Sequence, residues 1–183
     1  MKKVLVTGFE PFDGDELNPS SVLLDWLKER TFDFEVYTAV LPVSFTSASE
    51  KLNAAIEKYN PSHVLLTGFA KNRTELTIER IGINWVDARI PDNDGYALKS
   101  QKIFQNSPDG LFSTLPIDQI LNAANNAKCP TKISTSAGEY VCNHLLYTYL
   151  LHHKKVPGTF LHIPGADCHE IFFQGIGAII NCL

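Results

Sequence analysis

Apolar residues along this chain fall in two rhythms, short unbroken runs and helical stripes, and the two alternate from one end to the other. Lys3 to Thr7 (KVLVT) is a run with β-branched residues that Gly8 stops, which predicts a buried strand. After the loop FEPFDGDEL, the stretch NPSSVLLDWLKER opens with Asn18 as N-cap and Pro19 at the first helical position. Residues 34–40 alternate and carry Val, Tyr and Thr, a strand. Residues 45–59 place Leu52, Ala55, Ile56 and Tyr59 at helical spacing, and Pro61 ends that helix. SHVLLTGFA is a further strand, residues 74–86 are strand-like, and DARIPDNDGYA is a loop. Residues 116–128 carry a helical stripe of Ile117, Ile120, Leu121 and Ala124. A short strand (131–134), a helix (138–152), a strand (158–163) and a last short helix in the tail from Asp167 complete the pattern.

This alternation predicts an α/β fold, a three-layer α/β/α sandwich around a central, mostly parallel (mixed) sheet, as one domain over residues 1–183 without a linker. One internal echo sharpens it. The pattern VL-x-TGF occurs at residues 4–9 and again at 64–69. Two strands ending in Thr-Gly-Phe predict two parallel strands whose carboxyl ends lie at the same edge, where open α/β sheets bind ligands. Chance similarity of two buried strands is the alternative.

Composition narrows the function classes. The chain has 183 residues, 44% hydrophobic and 20% charged, with a net charge of −4. No basic run exceeds Lys2-Lys3 or Lys154-Lys155, so no nucleic-acid partner is expected. No apolar stretch approaches the ~18 residues of a membrane span, and the start MKKVLVTGFEPF has no signal-peptide pattern. A cytoplasmic location without a membrane partner is expected. The four cysteines, Cys129, Cys142, Cys168 and Cys182, are then expected as free thiols. Cys142-Asn143-His144 and Cys168-His169 bring possible metal ligands together, but no second half-site follows, so no metal is expected.

Cys142 raises the question of chemistry. Ser136-Ala137-Gly138-Glu139 fits a capping box that would start the helix there; a start at Tyr140 with Gly138 as the turn residue is equally allowed. Either start puts Cys142 near the helix N-terminus, where free N–H groups and the dipole favour a thiolate, with Gly138 leaving space beside the sulfur. The same cysteine also extends a core stripe of Leu145, Leu146 and Tyr149. A cysteine nucleophile needs a base and the base an orienting partner. Among the six histidines, His144 faces about 200° away on the same helix. His152 and His153 end that helix, and His63 begins a strand at the opposite edge. His162 ends the strand that follows the Cys142 helix and can emerge near the helix start. Glu79 sits inside a strand pattern between Ile78 and Ile81, and a buried carboxylate there requires a cationic partner. That partner is either the imidazole or, on a solvated face, Arg73 or Arg80.

Taken together, TGFEPFDGDELNPS, LTIERIGIN, DARIPDNDG, ISTSAGEYVCN and FLHIP resemble the pyroglutamyl peptidases (pyrrolidone-carboxylate peptidases), a family of cysteine peptidases, over nearly the whole chain. The resemblance places the nucleophile on Cys142, the histidine on His162 and the acid on Glu79. It implies removal of an N-terminal pyroglutamyl residue from peptides through a thioester, with no cofactor, by an enzyme that assembles as a homo-oligomer, a dimer or tetramer. Phe9 and Phe12 are expected to close on the faces of the flat lactam. Backbone groups around Phe69 and Ala70 would serve its polar atoms, and Asn18 would cap its helix and brace the loop beside them. Arg89 either stands near the oxyanion, with the Cys142 N–H, or anchors the IPDN loop. Three features depart from the family pattern: Lys71 replaces a small residue, Gly82 an alanine, and the tail is short and apolar. A catalytically altered binding module and a cysteine hydrolase of another cyclic amide are the alternative readings.

Overall fold

The computed structural model describes residues 2–166 and 169–183, so Cys168 and its pairing with His169 lie outside the described residues. The chain runs β1 (Lys3–Phe9), α1 (Pro19–Lys28), β2 (Glu35–Leu41), α2 (Ser47–Tyr59), β3 (His63–Ala70), β4 (Leu76–Glu79), β5 (Ile81–Ile83) and β6 (Gly110–Phe112). It continues through α3 (Ile117–Asn126), β7 (Thr131–Ser134), α4 (Val141–His152), β8 (Gly158–Pro164) and α5 (Glu170–Cys182). Six strands form one sheet in the order β2-β1-β3-β8-β4-β7. β2, β1, β3 and β8 are mutually parallel; β4 and β7 are parallel to each other and meet β8 through its antiparallel pairing with β4. The sheet is therefore mixed and mostly parallel.

Alternation along the strands sorts the core into two layers. Val4, Val6, Leu65, Leu76, Ile78, Leu161 and Ile163 face α1, α3 and α5. Leu5, Val64, Leu66 and Phe160 face α2 and α4. Both faces are covered, which is why the strands read as apolar runs. The apolar tail is core on this account: α5 buries Phe172, Phe173, Ile176, Ile179 and Ile180, each contributing about 1.5–3 kcal/mol on burial.

The structure revises two element boundaries. Residues 74–86 are not one strand. Arg80 breaks the run: its N–H donates to the Ser134 carbonyl (2.8 Å) and its carbonyl accepts from Ser113 N–H (2.8 Å). β5 thereby leaves the main sheet and pairs antiparallel with β6, a three-residue strand with no periodicity to announce it. The capping box does not form either. Ser136 Oγ accepts from the N–H of Gly138 (3.2 Å). Gly138 turns the chain at φ +84°, and Tyr140 occupies the N-cap position in extended geometry. α4 thus begins at Val141, the later of the two allowed starts. At α1, by contrast, the Asn18 side chain accepts from Ser20 N–H (3.0 Å) as a proper cap.

Candidate active site

The site grows out of side-chain alternation on two strands. On β8, Phe160 and His162 point to the α2–α4 face while Leu161 and Ile163 point away. On β4, Leu76 and Ile78 enter the opposite layer, which turns Thr77 and Glu79 toward the same face as His162. Thr77 stands directly opposite His162 in the antiparallel register, with Glu79 opposite Phe160, so Glu79 and His162 are diagonal neighbours. His162 Nδ1 donates to Glu79 Oε1 at 2.8 Å. This leaves Nε2 as the free, basic nitrogen of a neutral ring.

Glu79 is fully buried, and its surroundings fix it at both ends. Its main-chain carbonyl accepts from Ser113 Oγ (2.6 Å) and Thr159 Oγ1 (3.0 Å). Its Oε1 also receives Arg73 Nη1 at 2.5 Å and Thr77 Oγ1 at 3.3 Å. The two cationic partners weighed from the sequence, imidazole and arginine, therefore bind the same oxygen, and they do so in the interior and not on a solvated face. Arg80 turns away to Asp118, at 3.9 Å.

α4 brings the third residue. Cys142 is the second residue of the helix and lies part-exposed on the wall of a cavity of about 610 Å³. A Cβ placed on Gly68 would meet Cys142 Sγ at 3.2 Å and the Phe160 ring at 2.8 Å. Gly68 is the register partner of His162. The sulfur therefore hovers over β3 beside the histidine, in room that Gly68 provides. The expectation that Gly138 makes this space is corrected: a Cβ there would meet nothing within 4 Å, and that glycine serves the turn. The two Thr-Gly-Phe motifs gain a shared reason, because Gly8 likewise admits a neighbour, the Ser20 carbonyl, 2.2 Å from where its Cβ would stand.

Electrostatics correct a second expectation. Burial first, and the Glu79 charge second, push the Cys142 thiol up to about 12; Arg73 and the cysteine's own N–H pull the other way without prevailing. His162 is lowered, chiefly by burial and further by Arg73, against the raising influence of Glu79. Burial opposes the Glu79 charge, yet His162, Ser134 and Arg73 outweigh it and hold the carboxyl below its ordinary range. At neutral pH the resting site is a neutral thiol and a neutral imidazole beside an ionised carboxylate. The helix N-terminus does not by itself make a standing thiolate.

Phe9, Phe12, Asn18, Phe69 and Arg89 line the cavity with Cys142; Ala70 does not. Phe9 is buried against Phe160 (centroids 6.4 Å apart), so it forms a fixed wall. Phe12 is half-buried and leans on Tyr140 (5.6 Å). Asn18 Nδ2 donates to the Glu10 carbonyl (3.0 Å), tying the loop to the helix it caps. Tyr140 belongs to the lining and escaped the sequence reading, although it immediately precedes the helix that carries Cys142. His144 packs edge-on against Phe45 (5.4 Å), away from the site, and burial lowers it to about 4. Among the described residues no group of three or more His, Cys, Asp or Glu is placed to hold a metal ion.

The pyroglutamyl peptidase family model matches residues 2–172. A pyrrolidone-carboxylate peptidase of Thermococcus onnurineus is 42% identical over 167 residues, covering 88% of this chain and 83% of that protein. The chain belongs to the pyroglutamyl peptidase family. A second relative, the pyrrolidone-carboxylate peptidase of an Enterobacter species, is 43% identical over 170 residues, 90% of this chain and 78% of that one. A solved mutant pyrrolidone carboxyl peptidase of Pyrococcus furiosus superposes with a TM-score of 0.92 at 33% identity, covering 98% of this chain and 97% of the other. The departures from the family pattern can now be placed. Lys71 belongs to the cavity lining, largely exposed at 72% and 3.5 Å from Asp15, which lines the cavity with it. Gly82 lies against α4, where a Cβ would meet Tyr147 N at 3.0 Å, so alanine would push β5 and α4 slightly apart.

Proposed function

We propose that this chain is a cysteine peptidase that releases N-terminal pyroglutamate from peptides, with Cys142 as nucleophile, His162 as base and Glu79 as the acid that orients it. The observation that carries the reading is the meeting at Gly68. There the Cys142 sulfur, on the wall of the cavity, stands 3.2 Å from where a Gly68 Cβ would be, and Gly68 is the register partner of a histidine that a buried carboxylate holds at 2.8 Å.

The resting thiol is neutral, so proton transfer accompanies attack. His162 Nε2 takes the thiol proton as sulfur bonds to the pyroglutamyl carbonyl carbon, and Glu79 stabilises the imidazolium that forms. The Cys142 N–H, at the second position of the helix, meets the oxyanion, with Arg89 on the same cavity wall; such donors contribute a few kcal/mol each. Collapse breaks the C–N bond, His162 returns the proton to the leaving amine, and a thioester remains. Water, deprotonated by His162, then cleaves the thioester and restores the thiol. The flat, mostly apolar lactam suits the part of the cavity walled by Phe9, Phe12, Val43 and Phe69; Asp13, Asp15, Asp87 and Glu139 share the lining.

No helix among the described residues is long and apolar enough to cross a membrane. A cytosolic working place fits the free thiols of Cys129, Cys142 and Cys182. A homo-oligomer is what the family resemblance implies, and light scattering on the purified chain would test it. The decisive experiment is release of a fluorogenic amine from a pyroglutamyl amide under reducing conditions. Turnover is expected, and Cys142→Ser should lose at least about a thousandfold while keeping its fold. No turnover by the unaltered chain would sink the peptidase reading. Activity surviving in Cys142→Ser would sink the nucleophile, and equal turnover of a prolyl amide would sink the lactam pocket.

A further inference from the structure

Arg73 takes no part in the steps above, yet it is hydrogen-bonded to β4 and to the segments that adjoin α4 and β8, the elements carrying Glu79, Cys142 and His162. It sits in the turn after β3, where its N–H donates to the Ala70 carbonyl (2.9 Å). Its Nη1 reaches Glu79 Oε1 at 2.5 Å and also donates to Thr77 Oγ1. Its Nη2 donates to the Ser136 carbonyl at 2.9 Å, in the loop that delivers Cys142 to α4. Its own carbonyl accepts from the N–H of Gly165 (3.1 Å), one residue beyond the strand that carries His162. The Arg73 side chain is three-quarters buried, at 25% exposure, against a Glu79 side chain at 0%.

The charge balance gives this arrangement a purpose. A fully buried carboxylate needs a permanent counter-charge, and a resting imidazole that is neutral cannot supply one. Arginine stays protonated at any working pH and can serve two acceptors with its planar fork. We propose that Arg73 is the positioning residue of the site: it keeps Glu79 ionised beside a neutral His162 and ties the Cys142 loop to the Glu79–His162 pair. This rests on the assignment of Cys142, His162 and Glu79 above. The effect on His162 follows from position. Arg73 and His162 share one carboxylate oxygen, so the guanidinium repels an imidazolium, in line with the lowering of His162. Removing the guanidinium leaves Glu79 free to pair with a protonated ring.

The test uses the full chain and two variants. In Arg73→Met, kcat for a pyroglutamyl amide should fall about a hundredfold with KM within about threefold, and the acid limb of kcat/KM should move up by about one pH unit. Arg73→Lys keeps the charge but lacks the fork that spans Glu79 and Ser136. Its acid limb should stay near that of the unaltered chain while kcat recovers only in part. A readout free of turnover separates this proposal from the assignment it rests on. The imidazole of His162 is titrated by NMR in the Cys142→Ser background, with and without each Arg73 substitution. An upward shift on Arg73→Met that Arg73→Lys reverses supports the proposal. An unmoved His162 titration on loss of the guanidinium would overturn it, whatever happens to activity. Should the methionine variant fail to fold, the lysine variant still decides: a His162 titration shifted well upward despite the retained charge would refute it.

Discussion

Gly68→Ala is the substitution that tests the assembled site most directly. Gly68 lies in a buried strand, and its backbone is not in the left-handed region, so alanine is sterically admissible there apart from its methyl. That methyl would sit 2.8 Å from Phe160 Cζ, about 0.6 Å short of ordinary contact, and 3.2 Å from Cys142 Sγ. Phe160 cannot yield freely, because its ring is fully buried between Phe9 and His162, with centroids 6.4 and 4.6 Å away. The strain must pass to the His162 ring, to the sulfur, or to both. Overpacking of this kind costs about 1–3 kcal/mol, and the lost flexibility of the unfolded glycine returns about 0.5–1. A net destabilisation of about 1–2 kcal/mol would lower Tm by about 2–8 °C in a chain of this size. On the roles proposed for Cys142 and His162, displacing one from the other by about half an ångström should cost kcat about 10–100-fold while KM moves little. Steady-state hydrolysis of a pyroglutamyl amide, with thermal unfolding on the same preparation, reads both quantities. A variant with kcat within about twofold of the unaltered chain would refute the claim that sulfur and histidine meet at this glycine.

Three further outcomes follow from the same geometry. Because burial and Glu79 push the thiol up to about 12, alkylation of Cys142 by iodoacetamide should keep accelerating between about pH 6 and pH 10; a flat profile would mean a standing thiolate–imidazolium pair. Glu79→Gln should cost about 1–3 kcal/mol at neutral pH, with the figure reduced because Arg73, left unpaired, is one-quarter exposed. The carboxyl is depressed in the folded state, so its contribution is present above its ordinary value of 4.5 and is lost as pH falls through the folded value. Urea midpoints of the two proteins should therefore converge in acid, and a constant gap would count against the ionised pair. Asn18→Ala removes both the cap on Ser20 and the brace to the Glu10 carbonyl, so a loss of about 1 kcal/mol with a severalfold rise in KM is expected from denaturation and kinetics. An unchanged KM would show that the Phe12 loop holds without it.

The amino-acid sequence by itself determined the elements and the chemical groups. Apolar runs and stripes carry their own period, so most strands and helices could be read directly, down to the cap at Asn18 and the echo that predicted β1 and β3 to run parallel; that they are neighbours is a finding of the structure. Three candidate side chains could also be picked out, by a cysteine at a helix start, a histidine at a strand end and a carboxylate where apolar residues surround it; that His162 and Glu79 touch is a finding of the structure. What local pattern could not carry is anything that depends on partners distant in the chain. The break at Arg80 is made by Ser134 and Ser113, and β6 exists only because β5 has left the sheet.

Tertiary structure alone decided the state of the site. The helix start favours a thiolate, but the sulfur's resting form is set by how much water it loses and by the charge of Glu79, neither of which a helix pattern encodes. Space for the sulfur comes from Gly68, more than seventy residues upstream, and not from the nearby Gly138, because room is a property of packed neighbours. Arg73 was visible as one possible ion-pair partner on a solvated strand face. Only the antiparallel pairing of β4 with β8, which sets Glu79 diagonal to His162 in the interior, places both the guanidinium and the imidazole on one carboxylate oxygen.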